Sequence, residues 1–283
     1  MTVRIVTDST ADLPAALAQD MGIAVVPLNV HFGDEVFTDG DTIHSDEFYQ
    51  RLVSSSSLPK TSQPAIGAFM ETYQQLLTDA DGIVSVHISS QVSGTVNAAQ
   101  LAVSELGSNA IEVVDTLQAS LALGLIAVAA AKVAQSGGSL AEVVAEAKSA
   151  SLRARFFGLV ETLEYLEKGG RIGKAQALLG SLLRIKPILT LREGVAHPVE
   201  KVRTRAKGLE RLAAIAAELA PLEAIGVMSS DVAEDSKLII DALTKHIPGS
   251  DPVVSRFGPI LGTYLGPGSL GVAVLRAKES GEQ

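Results

Sequence analysis

The first 135 residues alternate short apolar runs with stretches of helical periodicity, and this alternation restricts the fold more than any other feature of the chain. Runs such as "GIVSVHI" (residues 82–88) are apolar almost throughout, which is typical of strands buried on both faces. Strand, helix and strand in succession predict a parallel sheet with helices on both faces. The predicted elements are, in chain order, strand Val3–Thr7, helix Pro14–Gln19, strand Ile23–Val30, helices Asp46–Ser54 and Ile66–Leu77, strand Ile83–Ile88, helix Gly94–Leu106, strand Ile111–Asp115 and helix Ala119–Gln135.

The pattern changes near residue 150, where we place a boundary between two α/β domains, 1–150 and 151–283. "RARFFGLV" predicts a strand, and "ETLEYLEKGGRIGKAQALLGSLL" (161–183) predicts a helical stretch broken at its paired glycines. "KPILTLREGVAHPVEKVRT" predicts a hairpin that turns at Glu193–Gly194. A helix over Ala206–Leu219, a strand in "AIGVMSS", another helix and two last strands complete a second domain, for which we expect a mixed sheet.

Composition narrows the class of protein. The chain has 283 residues, no cysteine and a formal net charge of −9, which excludes disulfides and thiolate chemistry and argues against nonspecific nucleic-acid binding. The start "MTVRIVTDST" reaches an acidic residue too early for a signal peptide. The most apolar stretch, Ala119–Ala131, is shorter than the roughly 20 residues that a membrane span needs. We therefore expect a cytoplasmic protein without an integral membrane segment.

Four hydroxyl side chains and one glycine stand at a single predicted strand-to-helix corner, in "HISSQVSGTVNAA" (residues 87–99). In an open parallel sheet, ligands bind beyond the carboxyl ends of the strands, where the next helices begin. The unpaired N–H groups and the dipole of a helix start favour an anion, and glycine allows close approach of the backbone. Ser93, Gly94 and Thr95 are therefore candidates for an anion site, with simple helix capping as the alternative.

Two further corners carry hydroxyl groups. Thr61 and Ser62 in "LPKTSQPAIGAF" precede a predicted helix that has Pro64 near its first turn. "VVDTLQASLALG" places Ser120 after a predicted strand. Because such corners meet at one edge of a parallel sheet, we expect two of them to converge on one ligand headgroup.

No segment of the sequence matches a known catalytic or metal-binding motif well. "GGRIGKA" (169–175) lacks the spacing and the hydroxyl of a Walker loop, and Gln91 stands where a G-x-S-x-G nucleophile elbow needs glycine. A stand-alone hydrolase or acyltransferase that uses Ser93 remains the alternative function. The acidic segment "DGDTIHSDE" (39–47) matches neither H-E-x-x-H nor an EF-hand loop. There we expect a turn followed by Ser45 capping a helix, and no metal site.

Eight segments, taken together and in order, resemble the DegV family. They are "TDSTADLP" (7–14), "KTSQP" (60–64), "ISSQVSGT" (88–95), "VVDTLQAS" (113–120), "LEYLEKGGRIGKA" (163–175), "KPIL" (186–189), "KVRTRAK" (201–207) and "GPILGTYLGPGSLG" (258–271). The family includes the fatty-acid-binding FakB components of bacterial fatty acid kinase. The resemblance implies two α/β domains that hold one long-chain fatty acid between them, without a cofactor. It also implies a FakA-like kinase as a partner, which phosphorylates the acyl carboxyl group for phospholipid synthesis.

The resemblance assigns roles to residues of this sequence. The implied ligand-binding residues are Thr61, Ser62, Ser93, Gly94, Thr95, Ser120 and Tyr264. Of these, Thr61, Ser62 and Ser93 would hold the carboxylate. Arg171 and Arg203 would lie at the outer rim of the headgroup or at the kinase-docking surface, with ion pairing inside the second domain as the alternative.

Tyr264 departs from the family pattern. It stands in "GTYLGPG", where the family commonly has histidine. A tyrosine hydroxyl still donates a hydrogen bond, but it carries no titratable charge near neutrality. Any part that this histidine takes in phosphoryl transfer therefore does not carry over to this chain.

Overall fold

Three β-sheets and ten α-helices make up the part of the chain that this computed structural model describes, residues 2–180, 185–230, 233–247 and 250–278. The strands are β1 (Val3–Asp8), β2 (Ile23–Val26), β3 (Asn29–Phe32), β4 (Glu35–Thr38), β5 (Lys60–Ser62), β6 (Gly82–His87), β7 (Ile111–Asp115), β8 (Ala154–Leu159), β9 (Lys186–Arg192), β10 (Val195–Val202), β11 (Leu222–Ser229), β12 (Val253–Arg256) and β13 (Leu270–Arg276). The helices are α1 (Ala15–Asp20), α2 (Ser45–Ser54), α3 (Ile66–Leu76), α4 (Thr95–Leu106), α5 (Leu121–Gln135), α6 (Leu140–Arg153), α7 (Glu164–Lys168), α8 (Arg205–Ala217), α9 (Ala233–Leu243) and α10 (Pro259–Leu265).

Strands β2, β1, β6 and β7 form, in that order, an all-parallel sheet, which confirms the sheet predicted for the first half. Successive residues of a strand point to opposite faces of the sheet. Ile5 and Val84 therefore pack in one apolar cluster with α5 and α6, while Val6 and Ile83 pack in another with α3 and α4. Because helices cover both faces, these strands are apolar nearly throughout.

The second half forms a six-stranded sheet in the order β10, β9, β8, β13, β11, β12. Strands β11 and β12 run parallel and all other neighbours run antiparallel, so the predicted mixed sheet is confirmed. The β9–β10 hairpin turns at Glu193 and Gly194, whose φ angles of +50° and +79° are those of a two-residue hairpin turn. Helices α8 and α9 pack on one face of this sheet.

Helix α5 lies between the two large sheets and packs on both. Every residue from Leu121 to Ala131 is buried, and small side chains let the sheets approach the helix closely. On β11, a Cβ at Gly226 would lie 2.8 Å from a methyl carbon of Leu121. The two halves therefore share one apolar core, and the connection between them, α6, continues past residue 150 to Arg153.

Within the described ranges, α5 included, no helix combines the length and apolar character that crossing a bilayer requires.

The predicted strand Ile23–Val30 is wrong, because it is two strands in two different sheets. β2 ends at Val26 and belongs to the parallel sheet, whereas β3 begins at Asn29 and lies in a small antiparallel sheet of β4, β3 and β5. Pro27 separates them, since proline has no N–H to donate to a continuing ladder. The strands of the small sheet are three or four residues long, too short for a periodicity to be visible in the sequence.

The predicted helical stretch 161–183 is also largely wrong. It consists of the single-turn helix α7 and a 3-10 turn, Gly173–Leu178, and residues 181–183 lie outside the described part of the chain. Gly170 and Gly173, between α7 and the 3-10 turn and at the first residue of that turn, adopt φ angles of +71° and +52°, which a continuous right-handed helix does not allow.

Two smaller features correct the prediction near residues 45 and 260. Helix α2 begins at Ser45 and follows His44, and the Ser45 hydroxyl donates to the carbonyl of Phe257 (3.4 Å), so it does not cap the helix. Helix α10, which lies between the last two strands, was not predicted. It begins with Pro259 in its first turn and ends at Gly266, whose φ is +73°.

Candidate functional site

A cavity of about 320 Å³ lies between the two large sheets, beyond the carboxyl ends of β1, β6 and β7. Its volume is at the lower end of the range for small-molecule sites. The apolar lining residues are Leu28, Ile88, Val92, Ala119, Phe156, Leu166, Leu189, Leu191, Ala196, Ile260, Leu261 and Leu265. The polar lining side chains are Thr10, Thr61, Ser62, Gln63, Ser93, Ser120, Arg171, Thr190 and Tyr264, and Gly94 adds its backbone. Arg171 is the one charged side chain among these lining residues.

One end of the cavity, which we call the mouth, is formed by Thr61, Ser62, Ser93, Arg171 and Tyr264. Thr61 on β5 and Tyr264 on α10 share a hydrogen bond of 2.6 Å between their hydroxyl oxygens. The guanidinium of Arg171 lies 5.1 Å from the centre of the Tyr264 ring, a cation–π distance. The mouth is therefore assembled from segments that are far apart in the sequence.

Arg171 is held over the mouth by backbone carbonyl groups. Its Nη1 donates to the carbonyl of Gly169 (2.9 Å) and its Nε donates to the carbonyl of Val92 (3.2 Å). Over the residues that the structure describes, no carboxylate pairs with this guanidinium, so its charge remains available to a ligand or partner. A Cβ on Gly169 would lie 2.5 Å from the Tyr264 ring, which explains why glycine stands there.

The serine-rich corner supplies Ser93 and Gly94 to the mouth. The Ser93 and Thr95 hydroxyl oxygens are 2.8 Å apart, and the backbone N–H of Thr95 donates to Ser93 Oγ (3.4 Å). Thr95 is fully buried at the start of α4 and positions Ser93 from behind. A Cβ on Gly94 would lie 2.0 Å from Oε1 of Gln63, so the Gln63 side chain packs directly on this glycine.

Ser89, at the same corner, has a structural role. It is fully buried, and its hydroxyl donates to the carbonyl of Gly194 at the tip of the β9–β10 hairpin (2.8 Å). The hairpin of the mixed sheet is thereby fixed against the corner of the parallel sheet. This hydroxyl is engaged within the protein and does not line the cavity.

The structure brings most of the predicted site residues to this cavity. Those that line it are Thr61, Ser62, Ser93, Gly94, Ser120, Arg171 and Tyr264. Thr95 lies behind Ser93, and Arg203 is exposed just beyond β10, outside the lining. The Ser120 hydroxyl donates to Asp12 Oδ2 (2.6 Å). Ser120 therefore forms part of the cavity wall, and its hydroxyl proton is not free to bind a ligand. The roles of these residues toward a ligand remain predictions.

Three polar residues that line the cavity were not predicted from the sequence: Thr10, Gln63 and Thr190. Thr10 follows the carboxyl end of β1, and that position is a signal that could have identified it. Gln63 directly follows the Thr61–Ser62 pair but carries no motif of its own. The Thr190 hydroxyl donates to the carbonyl of Phe156 (2.7 Å), a pairing that only the three-dimensional structure reveals.

The one Asp–His–Ser arrangement in the hydrogen-bond network of the described chain is inaccessible. His87 bonds through Nδ1 to Asp8 (2.9 Å) and through Nε2 to Ser85 (2.6 Å), and all three side chains are fully buried away from the cavity. The Ser93 hydroxyl bonds to Thr95 and to no histidine. Of the serines that line the cavity, Ser62 does contact a histidine, since its hydroxyl oxygen lies 2.8 Å from Nε2 of His31, but this pair is not part of an Asp–His–Ser arrangement among the described residues. Among the same described residues, no three side chains of the metal-ligating types are grouped so that they could hold an ion.

A parallel sheet and a mixed sheet enclosing an apolar cavity with a polar mouth define the chain as an α/β protein with an interior ligand site. A family model described as an uncharacterised protein of the DegV family matches residues 2–277, and the chain belongs to the DegV family. A DegV domain-containing protein of Streptomyces coelicolor is 43% identical over 279 residues, which cover 96% of this chain and 98% of that protein.

Two solved structures extend the comparison. A fatty-acid-binding DegV family protein from Thermus thermophilus superimposes with a TM-score of 0.90 at 35% identity, over 97% of this chain and 99% of that one. DegV of Bacillus subtilis, described as a fatty acid binding protein, gives a TM-score of 0.86 at 34% identity, over 97% and 99% of the two chains. The predicted family resemblance and fold class are confirmed.

Proposed function

We propose that this protein binds one long-chain fatty acid between its two large sheets, with the carboxylate at the mouth and the hydrocarbon chain inside. One observation carries this proposal: the three hydroxyl side chains that line the cavity outside the mouth all donate hydrogen bonds to acceptors of the protein itself. Thr10 donates to Asp8, Ser120 to Asp12 and Thr190 to a backbone carbonyl, so the hydroxyl protons of these three residues are already engaged within the protein. The cavity therefore suits an amphipathic molecule with one polar end. The fatty-acid-binding relatives from Thermus thermophilus and Bacillus subtilis support the same ligand class.

The chemistry of the mouth suits a carboxylate. A carboxylate that leaves water loses several kcal/mol unless hydrogen-bond donors replace its hydration. The hydroxyl groups of Thr61, Ser62 and Ser93 are the candidate donors and add no charge, and Arg171 adds a nearby cation. The Ser62 hydroxyl also lies 2.8 Å from Nε2 of His31, so it donates to a ligand only when that imidazole nitrogen carries the proton. Burial of the hydrocarbon contributes about 0.8 kcal/mol for each methylene. The proposal includes the division into domains 1–150 and 151–283, with the ligand between them.

A displacement assay tests the ligand class and its orientation. We expect palmitic acid to displace a fluorescent fatty acid from the protein, whereas its methyl ester should bind roughly tenfold more weakly or worse, because it cannot accept charge-assisted hydrogen bonds at the mouth. Equal displacement by the acid and the ester would contradict a carboxylate site at the mouth. No displacement by either would contradict fatty-acid binding.

We further propose that the protein presents the bound carboxylate to a FakA-like fatty acid kinase in the cytoplasm, which forms the acyl phosphate. Arg171 supports this step, because its guanidinium lies at the mouth without a carboxylate partner among the described residues. Exposed Arg203 is the second candidate for contact with the kinase. In this proposal a separate enzyme supplies the phosphoryl transfer.

Arg171→Ala is expected to separate binding from presentation. The variant should retain fatty-acid affinity within roughly tenfold, but ATP turnover by an added fatty acid kinase should fall by more than that, because the cation beside the reacting carboxylate is lost. Lys148→Ala, an exposed cation on α6, is the matched control and should behave like the original protein. Turnover by Arg171→Ala equal to that of the control would remove Arg171 from the transfer step.

Tyr264→Phe is expected to weaken fatty-acid binding by about 1 kcal/mol, roughly fivefold. The change removes the hydrogen bond to Thr61 and leaves the ring beneath Arg171 in place. Tyr165→Phe alters a neighbouring half-buried tyrosine that does not line the cavity, and its binding constant should stay unchanged. Titration calorimetry with palmitic acid measures both, and identical constants for the two variants would show that the Thr61–Tyr264 bond does not support the mouth.

A further inference from the structure

A second cavity, of about 420 Å³, lies behind the fatty-acid cavity and is acidic. The two cavities share a wall of two acid–hydroxyl pairs. Thr10 and Ser120 present their side chains to the fatty-acid cavity, and the carboxyl groups that accept their hydrogen bonds, Asp8 and Asp12, line the acidic cavity. A change of charge in the acidic cavity therefore acts directly on the wall of the fatty-acid cavity.

Asp12 connects the two halves of the chain. Its Oδ2 accepts from the Ser120 hydroxyl (2.6 Å) and its Oδ1 accepts from the backbone N–H of Gly258 (2.9 Å). Its backbone carbonyl accepts from the Ser255 hydroxyl (2.5 Å). Gly258 directly precedes α10, the helix that carries Tyr264 and several apolar lining residues. Asp12 thus holds α10 in place on the fatty-acid cavity.

The carboxyl group of Asp39 also lies next to Gly258, close to that of Asp12. A Cβ on Gly258 would lie 3.2 Å from Asp12 Oδ1 and 3.4 Å from each carboxyl oxygen of Asp39, so the two acids meet over this glycine. Asp39 is 8% exposed, and its Oδ2 has no hydrogen-bond partner. Burial raises the pKa of Asp39 to about 7, and burial together with the neighbouring Asp39 and Asp8 raises the pKa of Asp12 well above its ordinary value.

The other charged groups that line the acidic cavity do not neutralise this pair. Asp8 is hydrogen-bonded to His87, and Asp41 adds another acid at the exposed rim. Arg256, the one basic residue of the described lining, donates to the carbonyl of Ser230 (2.7 Å) and forms an ion pair with Asp46.

We infer that Asp12 and Asp39 form a proton-dependent pair that positions α10 on the fatty-acid cavity, so that fatty-acid binding weakens when the pair loses its proton. This inference rests on the proposed function. Below about pH 7 Asp39 is neutral and the two acids tolerate close contact across Gly258. Above that pH Asp39 ionises in a buried setting, with no hydrogen-bond partner at Oδ2 and with the Asp12 carboxyl group beside it, and this disfavours the close packing of the two acids over Gly258 and loosens the segment before α10.

The same titration affects folding stability, with a defined sign. The folded-state pKa of Asp39, about 7, exceeds its ordinary value of 3.8, so between these limits the native state holds more protons than the unfolded state. The free energy of unfolding therefore falls as pH rises through this window. Asp39→Asn removes the titration and should remove this part of the decline.

The test compares fatty-acid binding by the original chain, Asp39→Asn and Asp41→Asn at about pH 6 and about pH 8.5. Fatty-acid solubility changes with pH, so each dissociation constant is taken relative to that of Asp39→Asn at the same pH. We expect this ratio to be near one at the lower pH and to rise on the order of tenfold at the higher pH. Asp41→Asn, a rim acid of the same cavity, should follow the original chain.

A ratio that stays constant with pH would overturn the inference while leaving fatty-acid binding intact. If no chain binds fatty acid at either pH, the proposed function fails. Urea unfolding then tests separately whether Asp12 and Asp39 form a proton-dependent pair. A pH profile of unfolding free energy that is the same for the original chain and Asp39→Asn would overturn the inference. A profile flattened only in Asp39→Asn, and not in Asp41→Asn, would support the proton-dependent pair.

Discussion

Ala196→Phe is expected to weaken fatty-acid binding by about 3 kcal/mol, on the order of a hundredfold. Ala196 is a buried residue of β10 that lines the cavity. A phenyl ring at this position occupies the space of about four methylenes of the ligand, and each displaced methylene removes about 0.8 kcal/mol of binding free energy. The dissociation constant for palmitic acid, measured by calorimetry, checks this value.

His197→Phe is the matched control, because neighbouring residues of a strand face opposite sides of the sheet. It places the same ring on the same strand, outside the cavity lining, and binding should remain within about twofold of the original. Circular dichroism of both variants checks that the fold is intact. Unchanged affinity in a folded Ala196→Phe protein would show that the alkyl chain does not occupy this cavity.

Ser93→Ala is expected to weaken fatty-acid binding by about 1–3 kcal/mol, the usual effect of leaving a buried polar partner without its hydrogen bond. The Ser93 hydroxyl lines the mouth and is oriented by Thr95. Ser90→Ala, in the same turn but exposed and outside the cavity lining, should bind like the original protein. Equal affinity of the two variants would remove Ser93 from the carboxylate site.

The same variant separates the carrier from a stand-alone serine enzyme. A hydrolase or acyltransferase that uses Ser93 would release a burst of product from an activated ester, and Ser93→Ala would abolish it. We expect no burst from the original protein, because the Ser93 hydroxyl bonds to Thr95 and to no histidine among the described residues.

The strands and helices that the sequence predicted best are those with long, consistent apolar patterns. The parallel sheet and the buried helix α5 follow from runs such as Leu121–Ala131, in which almost every residue is apolar. The small sheet was missed because its strands are only three or four residues long, and α10 was missed because it has only seven residues, so no period is visible in either. The expected strand Ile23–Val30 failed at Pro27, where the chain leaves one sheet for another.

The site was predicted where one physical rule sufficed. Hydroxyl groups that follow parallel strands meet at one edge of the sheet, and this rule brings Ser93 and Ser120 to the same cavity. The bond between Thr61 and Tyr264 spans 203 residues, and nothing local in the sequence encodes it. Nor does the sequence show that the Ser120 hydroxyl is already engaged by Asp12, since that pairing depends on how the strand ends are arranged.

Denaturing mass spectrometry of the freshly purified chain tests the central proposal most directly, namely that hydroxyl groups at the mouth hold a lipid acid whose tail fills the interior. We expect it to release close to one long-chain fatty acid per chain, and far less from Ala196→Phe prepared in the same way. Release of no fatty acid, even after incubation of the protein with palmitic acid, or equal release from both chains, would contradict the account.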